Sequence, residues 1–480
     1  MLPLYPSIIS PLSICSEQKN DSYNLLTERH IQAVWLEQKY FKNLITSEGE
    51  HIHVISPGLW NAEAGPDFLK AHIRIGNKEF RGDVEIHLHE EGWYQHGHHN
   101  DERYDNVILH LSFWLPKVKK PIVKKNGSIS FTTYLESALT VPATRLIHWI
   151  DLDLYPYKKF VGSGRCAHEL FKSLPEKKII EFFTSASYWR LEQKKMYLQS
   201  RFGEISSQLA GGIAMALGYK HNTEAFSELF LYLLSIRDLP LEELFSIALG
   251  CCGFFEEKAT ENWLGSSYYQ ELKLLWEAKK YQVTHQSQLR LDHTRPYNHP
   301  VRRLAYLTKL LQDPQIDHLW SNILCLWNLS APKLLVDKKA TTELRQAIID
   351  IIPSYEDSYW NHRYTFETLP KEKYLSLLGD DLKSEMIVNT VLPMLYAEIK
   401  ELGDVNILKA FNVLYHSFRA SRNSKSRYLI HRFFGETVKG DLINTSQMEQ
   451  GAYQLHKDFC IHYEASCEGC PFVKRVLTIC

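Results

Sequence analysis

The chain has 480 residues, 44% of them hydrophobic and 23% charged, a globular composition that excludes disordered, collagen-like and membrane-embedded classes. Fifty-five Lys and Arg against 56 Asp and Glu give a net charge of −1. No whole-chain positive field therefore draws the protein onto a polyanion, and any such partner needs a local basic patch.

At about 150 residues per domain the length predicts roughly three domains. Residues 1–27 read as an N-terminal extension. MLPLYPSIISPLSIC is apolar, but Pro3, Pro6 and Pro11 interrupt it and no basic segment precedes it, so it does not have the form of a signal peptide. No apolar run approaches the ~20 residues needed to span a bilayer. The expectation is a cytoplasmic protein with no membrane partner.

Residues 28–160 predict an α/β domain. Ile31, Val34, Trp35, Leu36, Phe41 and Leu44 recur near helical period, predicting a helix over 28–46. A short strand is expected over 50–57. Two more follow over 61–89, joined at Gly76-Asn77, and another over 106–114, beyond a Trp- and His-rich connection. A lysine-rich loop occupies 116–127. Residues 161–403 read as a helical domain, with SELFLYLLSIRDLPLEELFSIAL and PVRRLAYLTKLLQ its clearest helices. No fixed-period repeat is present. A break near Asp404 separates a helical C-terminal region, 404–480, that ends in cysteines.

The most informative segment is the predicted second strand of the hairpin, GDVEIHLH. At period two, Asp83, Glu85, His87 and His89 fall on one face and Val84, Ile86 and Leu88 on the other. A solvent-facing antiparallel strand shows the same alternation. Gly65-Pro66-Asp67 opens the preceding strand and brings a second carboxylate near Glu85. Two such oxygens, with Glu63 as a possible third ligand, suit a divalent cation, Mg²⁺ or Mn²⁺. His87 is placed to activate a water. Pro-Asp followed by Glu-x-basic on the next strand, after a helix and a strand and before another strand, resembles the PD-(D/E)xK nucleases. His87 stands where those proteins have lysine. That resemblance implies a restriction-endonuclease-like mixed-sheet domain (fold class α+β or α/β), a helical body behind it, and a nuclease acting on DNA or RNA.

The connection EEGWYQHGHHNDERY adds His96, His98, His99 and Asp101. His87 and His89 with His96 or His98 form an alternative three-nitrogen zinc site for a zinc-dependent hydrolase. His110, inside VILHLSF, reads as a hydrogen-bonded core residue. NAEAGPDFLKAHI, GDVEIHLHEEGWYQHGHHNDERYDNVILHL, RPYNHPVRRLAYL, IVNTVLP and the terminal cysteines together resemble the bacterial domain-of-unknown-function 2851 family. The family's strand motif ends in lysine where this chain has His89. A third expectation is therefore a non-catalytic scaffold or nucleic-acid-binding protein on a degenerate nuclease fold.

Four of the nine cysteines lie in the last 21 residues. The spacing Cys460-x6-Cys467-x2-Cys470, with Cys480 as fourth ligand, suits Zn²⁺ or a [4Fe–4S] cluster. It resembles the tail of endonuclease III-type DNA glycosylases, except that the last interval is longer. Three basic clusters could hold phosphates: Lys117 to Lys125; Arg419, Arg422, Lys425 and Arg427; and Arg290 with Arg295, Arg302 and Arg303 around TRPYNHP. The last three are the expected nucleic-acid contacts.

Overall fold

The structure is a computed structural model that describes residues 4–13, 26–61, 65–150, 152, 163–256, 261–289, 291, 295–435, 437–460, 467 and 470–479. The fold is α+β: a mixed sheet of seven strands near the N-terminus and a mostly helical body. Two compact units share the chain. One comprises residues 6–174, 427–440 and 455–480; the other comprises 1–5, 175–426 and 441–454.

The sheet contains β1 (Ile52–Ser56), β2 (Leu59–Trp60), β3 (Phe68–Ile75), β4 (Lys78–His87), β5 (Val107–Ser112), β6 (Ile122–Val123) and β7 (Ile129–Tyr134). Its order is β1-β3-β4-β5-β7-β6, with β2 pairing on β3. The β1, β3 and β4 pairings are antiparallel, whereas β4–β5 and β5–β7 are parallel. Gly76 and Asn77 make the two-residue turn between β3 and β4, and Gly76 takes φ +55°. A left-handed turn of this kind matches the twist of the strands it joins.

Two irregularities shape β4. An extra residue in β3 opposes it between Phe68 and Ala71, where Lys70 adopts φ +58°. Asp83 holds that bulge by accepting from Lys70 N (3.0 Å) and from Asn106 Nδ2 (3.1 Å). Gly82 lies where a Cβ would fall 2.6 Å from Asn106 O, so only glycine lets β4 run this close to the entry of β5.

The helix α1 (Leu4–Ser13) precedes α2 (Glu28–Glu37), which buries Ile31, Val34 and Trp35 against Ile73, Val84, Ile86, Leu109 and Leu111 of the sheet. The helix expected to reach residue 46 stops at Glu37, and Gln38 turns left-handed. The remainder is recruited into sheet pairing, with Phe41 bridging Leu139 and Thr46 bridging Thr133. Sheet hydrogen bonds satisfy those backbone groups as well as helical ones would, and the apolar spacing of YFKNLIT fits both.

The opposite face of β4 is covered by the connection to β5, which contains the single turn α3 (Gly92–Gln95) and two 3₁₀ turns. Trp93 and Tyr104 pack there with Val107 and Ile122. The ionisable face is therefore interior, with Asp83, Glu85 and His87 only 7%, 5% and 1% exposed. Helix α4 (Ala143–Trp149) follows the sheet.

The other unit is built from α5 (Glu176–Phe202), α6 (Ile205–Leu217), α7 (Tyr219–Leu234), α8 (Leu241–Cys251), α9 (Ser267–Lys279), α10 (Pro300–Gln312), α11 (Leu319–Ser330), α12 (Lys338–Ile351), α13 (Asp380–Met386), α14 (Leu392–Leu402) and α15 (Val405–His416), around one large apolar core. The segment α16 (Ser424–Phe434) runs mainly with the sheet unit, α17 (Ser446–Leu455) mainly with the helical one, and α18 (Phe472–Ile479) again with the sheet unit. Among the described residues no helix is long and apolar enough to cross a membrane.

Candidate metal centre

The β3–β4 register sets Phe68 opposite Val84, which brings Asp67 to Glu85 at the open end of the hairpin. Asp67 N donates to Glu85 Oε2 at 3.0 Å, and Asp67 Oδ2 accepts from Ile86 N at 2.9 Å. Gln32, on α2, donates to Asp67 Oδ1 at 2.6 Å. One helical turn earlier on the same face, Glu28 accepts from Leu88 N at 3.4 Å. Asp67 and Glu28 are half-buried, whereas Glu85 lies beneath them.

Histidines close the other side. His87 Nδ1 hydrogen-bonds His110 Nε2 at 2.9 Å, and His87 Nε2 hydrogen-bonds His96 Nδ1 at 3.2 Å. His110 reaches His87 because β5 runs parallel to β4 with His110 beside Glu85. His98 stacks on Tyr104 with ring centroids 3.9 Å apart and sets its Nε2 3.1 Å from Glu85 Oε1, while His87 Nε2 stands 3.7 Å from that oxygen. The alignment of His98 Nε2 is too poor for a hydrogen bond, so this nitrogen and His110 Nδ1 are buried without a hydrogen-bonding partner. His87, His96 and His98 each offer a nitrogen, and these atoms all lie within 4.8 Å of one another. His96 is exposed, so the group opens to solvent on that side.

The electrostatics follow from burial. Desolvation, then the neighbouring Glu85 and Glu28 charges, push Asp67 well above the usual carboxylate range. Desolvation raises Glu85 in the same way, and Glu28 adds to it; Glu28 itself is raised by its own burial. Burial lowers His87 strongly, takes His98 down to about 4 and His110 down to about 3. Among the described residues no lysine or arginine pairs with Glu28, Asp67 or Glu85. A buried cluster of acids and neutral imidazoles without a fixed cation is stabilised either by protons or by a bound metal ion. The unpartnered nitrogens and the mixed nitrogen–oxygen donor set fit a metal such as Mn²⁺ or Zn²⁺ better than Mg²⁺.

Of the residues expected from sequence, Asp67, Glu85, His87, His96 and His98 are brought together. His89 is not: β4 ends at His87, the alternation ends with it, and His89 is exposed. Glu63 lies outside the described residues. Arg302 and Arg303 are not phosphate contacts. They are 0% and 1% exposed, and Arg302 Nη2 donates to Leu375 O and Ser376 O, both at 2.9 Å. Arg303 donates to Leu377 O, and at 2.8 Å to both Tyr219 Oη and Asn298 Oδ1. Arg295 is exposed. His110, expected as a hydrogen-bonded core residue, is fully buried and orients His87. Glu28 and Gln32 were not anticipated, although their i, i+4 spacing was available as a signal. Cys460, Cys467 and Cys470 line one cavity, and Cys480 lies outside the described residues.

No curated protein and no solved structure matches this chain. The family model described as Protein of unknown function (DUF2851) matches residues 28–424, most of the length, and the chain belongs to that family.

Proposed function

We propose that the protein is a metal-dependent hydrolase of phosphodiester bonds in nucleic acid. The observation that carries this reading is the convergence of Asp67, Glu85 and His87 with Glu28 in one partly open acidic cluster, with no paired lysine or arginine among the described residues. What supports it in the sheet is an antiparallel β1-β3-β4 run with β5 parallel to β4, and Asp67 and Glu85 on adjacent strand ends, an order that resembles that of a PD-(D/E)xK nuclease core. Glu28, Asp67 and Glu85 would hold the ion from the oxygen side and His96 and His98 from the nitrogen side. Such an ion would supply the polarisation of a phosphoryl oxygen and the acidification of a bound water. His87, kept neutral by burial, accepts a proton, and the His110–His87–His96 chain leads from the floor of the site to its exposed edge. Exposed lysines at 117, 119, 120 and 125 belong to the same unit as the site and offer contacts to a phosphate backbone.

The nitrogen triad favours a second reading, a zinc hydrolase centred on His87, His96 and His98, with Glu85 beside them. The two readings separate on Asp67. Purified protein is to be assayed on single- and double-stranded DNA and RNA with Mg²⁺, Mn²⁺ or Zn²⁺, beside Glu85→Gln and Asp67→Asn. The nuclease reading expects cleavage that falls at least a hundredfold in both variants. Cleavage that survives in Glu85→Gln removes it. One zinc per chain that is retained in Asp67→Asn and lost in His96→Ala, without cleavage of nucleic acid, selects the second reading.

A further inference from the structure

Cys166 lies in the sequence Ser163-Gly164-Arg165-Cys166, far from the terminal cysteines, yet all four meet. Cys166, Cys460, Cys467 and Cys470 line one cavity within the sheet unit, roofed by Phe433, Phe459 and Phe472. None of the four is in a disulfide. Local backbone features bring them there. Gly164 N donates to Arg432 O at 2.7 Å, and a Cβ on Gly164 would sit 3.1 Å from that oxygen and 3.3 Å from Cys166 Sγ, so glycine permits the approach. Cys467 takes φ +57°, and Cys470 N donates to Cys467 O at 3.3 Å, which brings these two cysteines together.

We propose that Cys166, Cys460, Cys467 and Cys470 ligate a [4Fe–4S] cluster. The lining contains no carboxylate, hydroxyl or amide side chain, so its donors are sulfur alone, and hard cations are disfavoured. Four thiolates need positive charge beside them, and Arg432 Nη2 donates to Cys467 Sγ at 2.7 Å. Arg165 also borders the cavity, and its Nη1 donates to Cys467 O at 3.3 Å.

Sulfur spacing separates a cluster from a single ion. A tetrahedral zinc with bonds of about 2.3 Å holds its sulfurs about 3.8 Å apart. Among the described residues the His87, His96 and His98 atoms close to within 4.8 Å of one another, but no three of these sulfurs form such a group. With no three drawn that close, the four thiols share one cavity, and four thiolates are the ligand set that a [4Fe–4S] core takes. The cluster would tie the segment before α5, the end of α16 and the terminal segment into one structure, independently of the site around Glu85.

The test is iron, acid-labile sulfide and zinc analysis of the full chain purified without oxygen, with visible absorbance, beside Cys166→Ser and Cys480→Ser. Iron and sulfide are expected at about four each per chain, with a broad visible charge-transfer band. Cys480→Ser keeps all of it, whereas Cys166→Ser loses at least half of the iron while its far-ultraviolet circular dichroism stays that of the parent. Should Cys166→Ser fail to fold, the wild-type analysis and Cys480→Ser still decide. One zinc per chain with no sulfide overturns the proposal, and so does loss of iron in Cys480→Ser with retention in Cys166→Ser.

Discussion

At the scale of single residues, neighbours on one strand face do different work. Asp83 spends both oxygens on backbone and amide donors and fastens the β3 bulge, whereas Glu85, two residues on, keeps Oε1 facing imidazoles. His87 is fixed from three directions: His110 on one nitrogen, His96 on the other, and Gly92 against the ring. A Cβ on Gly92 would lie 2.5 Å from His87 Cδ2 and 2.8 Å from Cγ, too close for any side chain. Gly92→Ala therefore has to displace the imidazole. Overpacking of this kind costs about 1–3 kcal/mol. The expected outcome is a melting temperature lowered by several degrees and metal affinity weakened at least tenfold, read by thermal denaturation and metal titration. An alanine variant with parental melting and metal affinity would show that Gly92 does not position His87.

At the scale of elements, TRPYNHPVRR shows how a sequence pattern can be read for the wrong purpose. Its arginines form a basic cluster on paper, but α10 begins at Pro300 and its first turn is interior. Arg302 and Arg303 satisfy the carbonyls of Leu375, Ser376 and Leu377, binding an irregular segment to the helix. A guanidinium serves either task, and only burial tells them apart. The same helix carries a titratable cap. His299 Nδ1 accepts from Val301 N at 3.3 Å, its ring packs near Phe254 and Trp263, and burial pushes it down from 6.5 to about 4. Between those values the unfolded chain binds a proton that the folded one does not, so this contribution is complete above pH 6.5 and is lost as pH falls towards 4. The loss is on the order of 3 kcal/mol if the full shift is realised. Asparagine preserves a capping acceptor without titrating. Stability of His299→Asn, measured by urea denaturation from pH 7 to pH 4, is expected to fall less steeply than that of the parent. Identical slopes would remove His299 from the acid sensitivity.

For the whole molecule, what the sequence disclosed depended on how far apart the cooperating residues lie. The β3–β4 hairpin was legible because Gly76-Asn77 and the period-two alternation are local, and so was the pairing of Asp67 with Glu85. Burial of the ionisable face was not, because it depends on how Gly92–Tyr104 folds back over β4. Nor was Cys166, whose partners lie at the other end of the chain. The same long-range exchange gives each unit segments from beyond residue 426. A chain ending at Ser426, just past the family match, looks like a natural truncation. It would nevertheless remove residues 427–440 and 455–480 from the sheet unit and 441–454 from the helical one. Phe171 would lose Phe433, Phe434 and Phe472, whose rings lie 6.2, 5.3 and 6.0 Å away. The helical unit would lose the Arg190 and Lys194 bonds to Gln450, at 2.7 and 2.6 Å, and the Ser421–Glu449 bond at 2.8 Å. Each unit thus gives up buried apolar contacts or hydrogen bonds, of which a few suffice to consume a net stability of about 5–15 kcal/mol. Residues 1–426 are expected to aggregate or to bind a hydrophobic dye strongly, with a broadened melt, in size-exclusion, fluorescence and thermal measurements. A monomeric fragment that melts as sharply and at the same temperature as the full chain would show that the returning segments are appendages, not parts of the two cores.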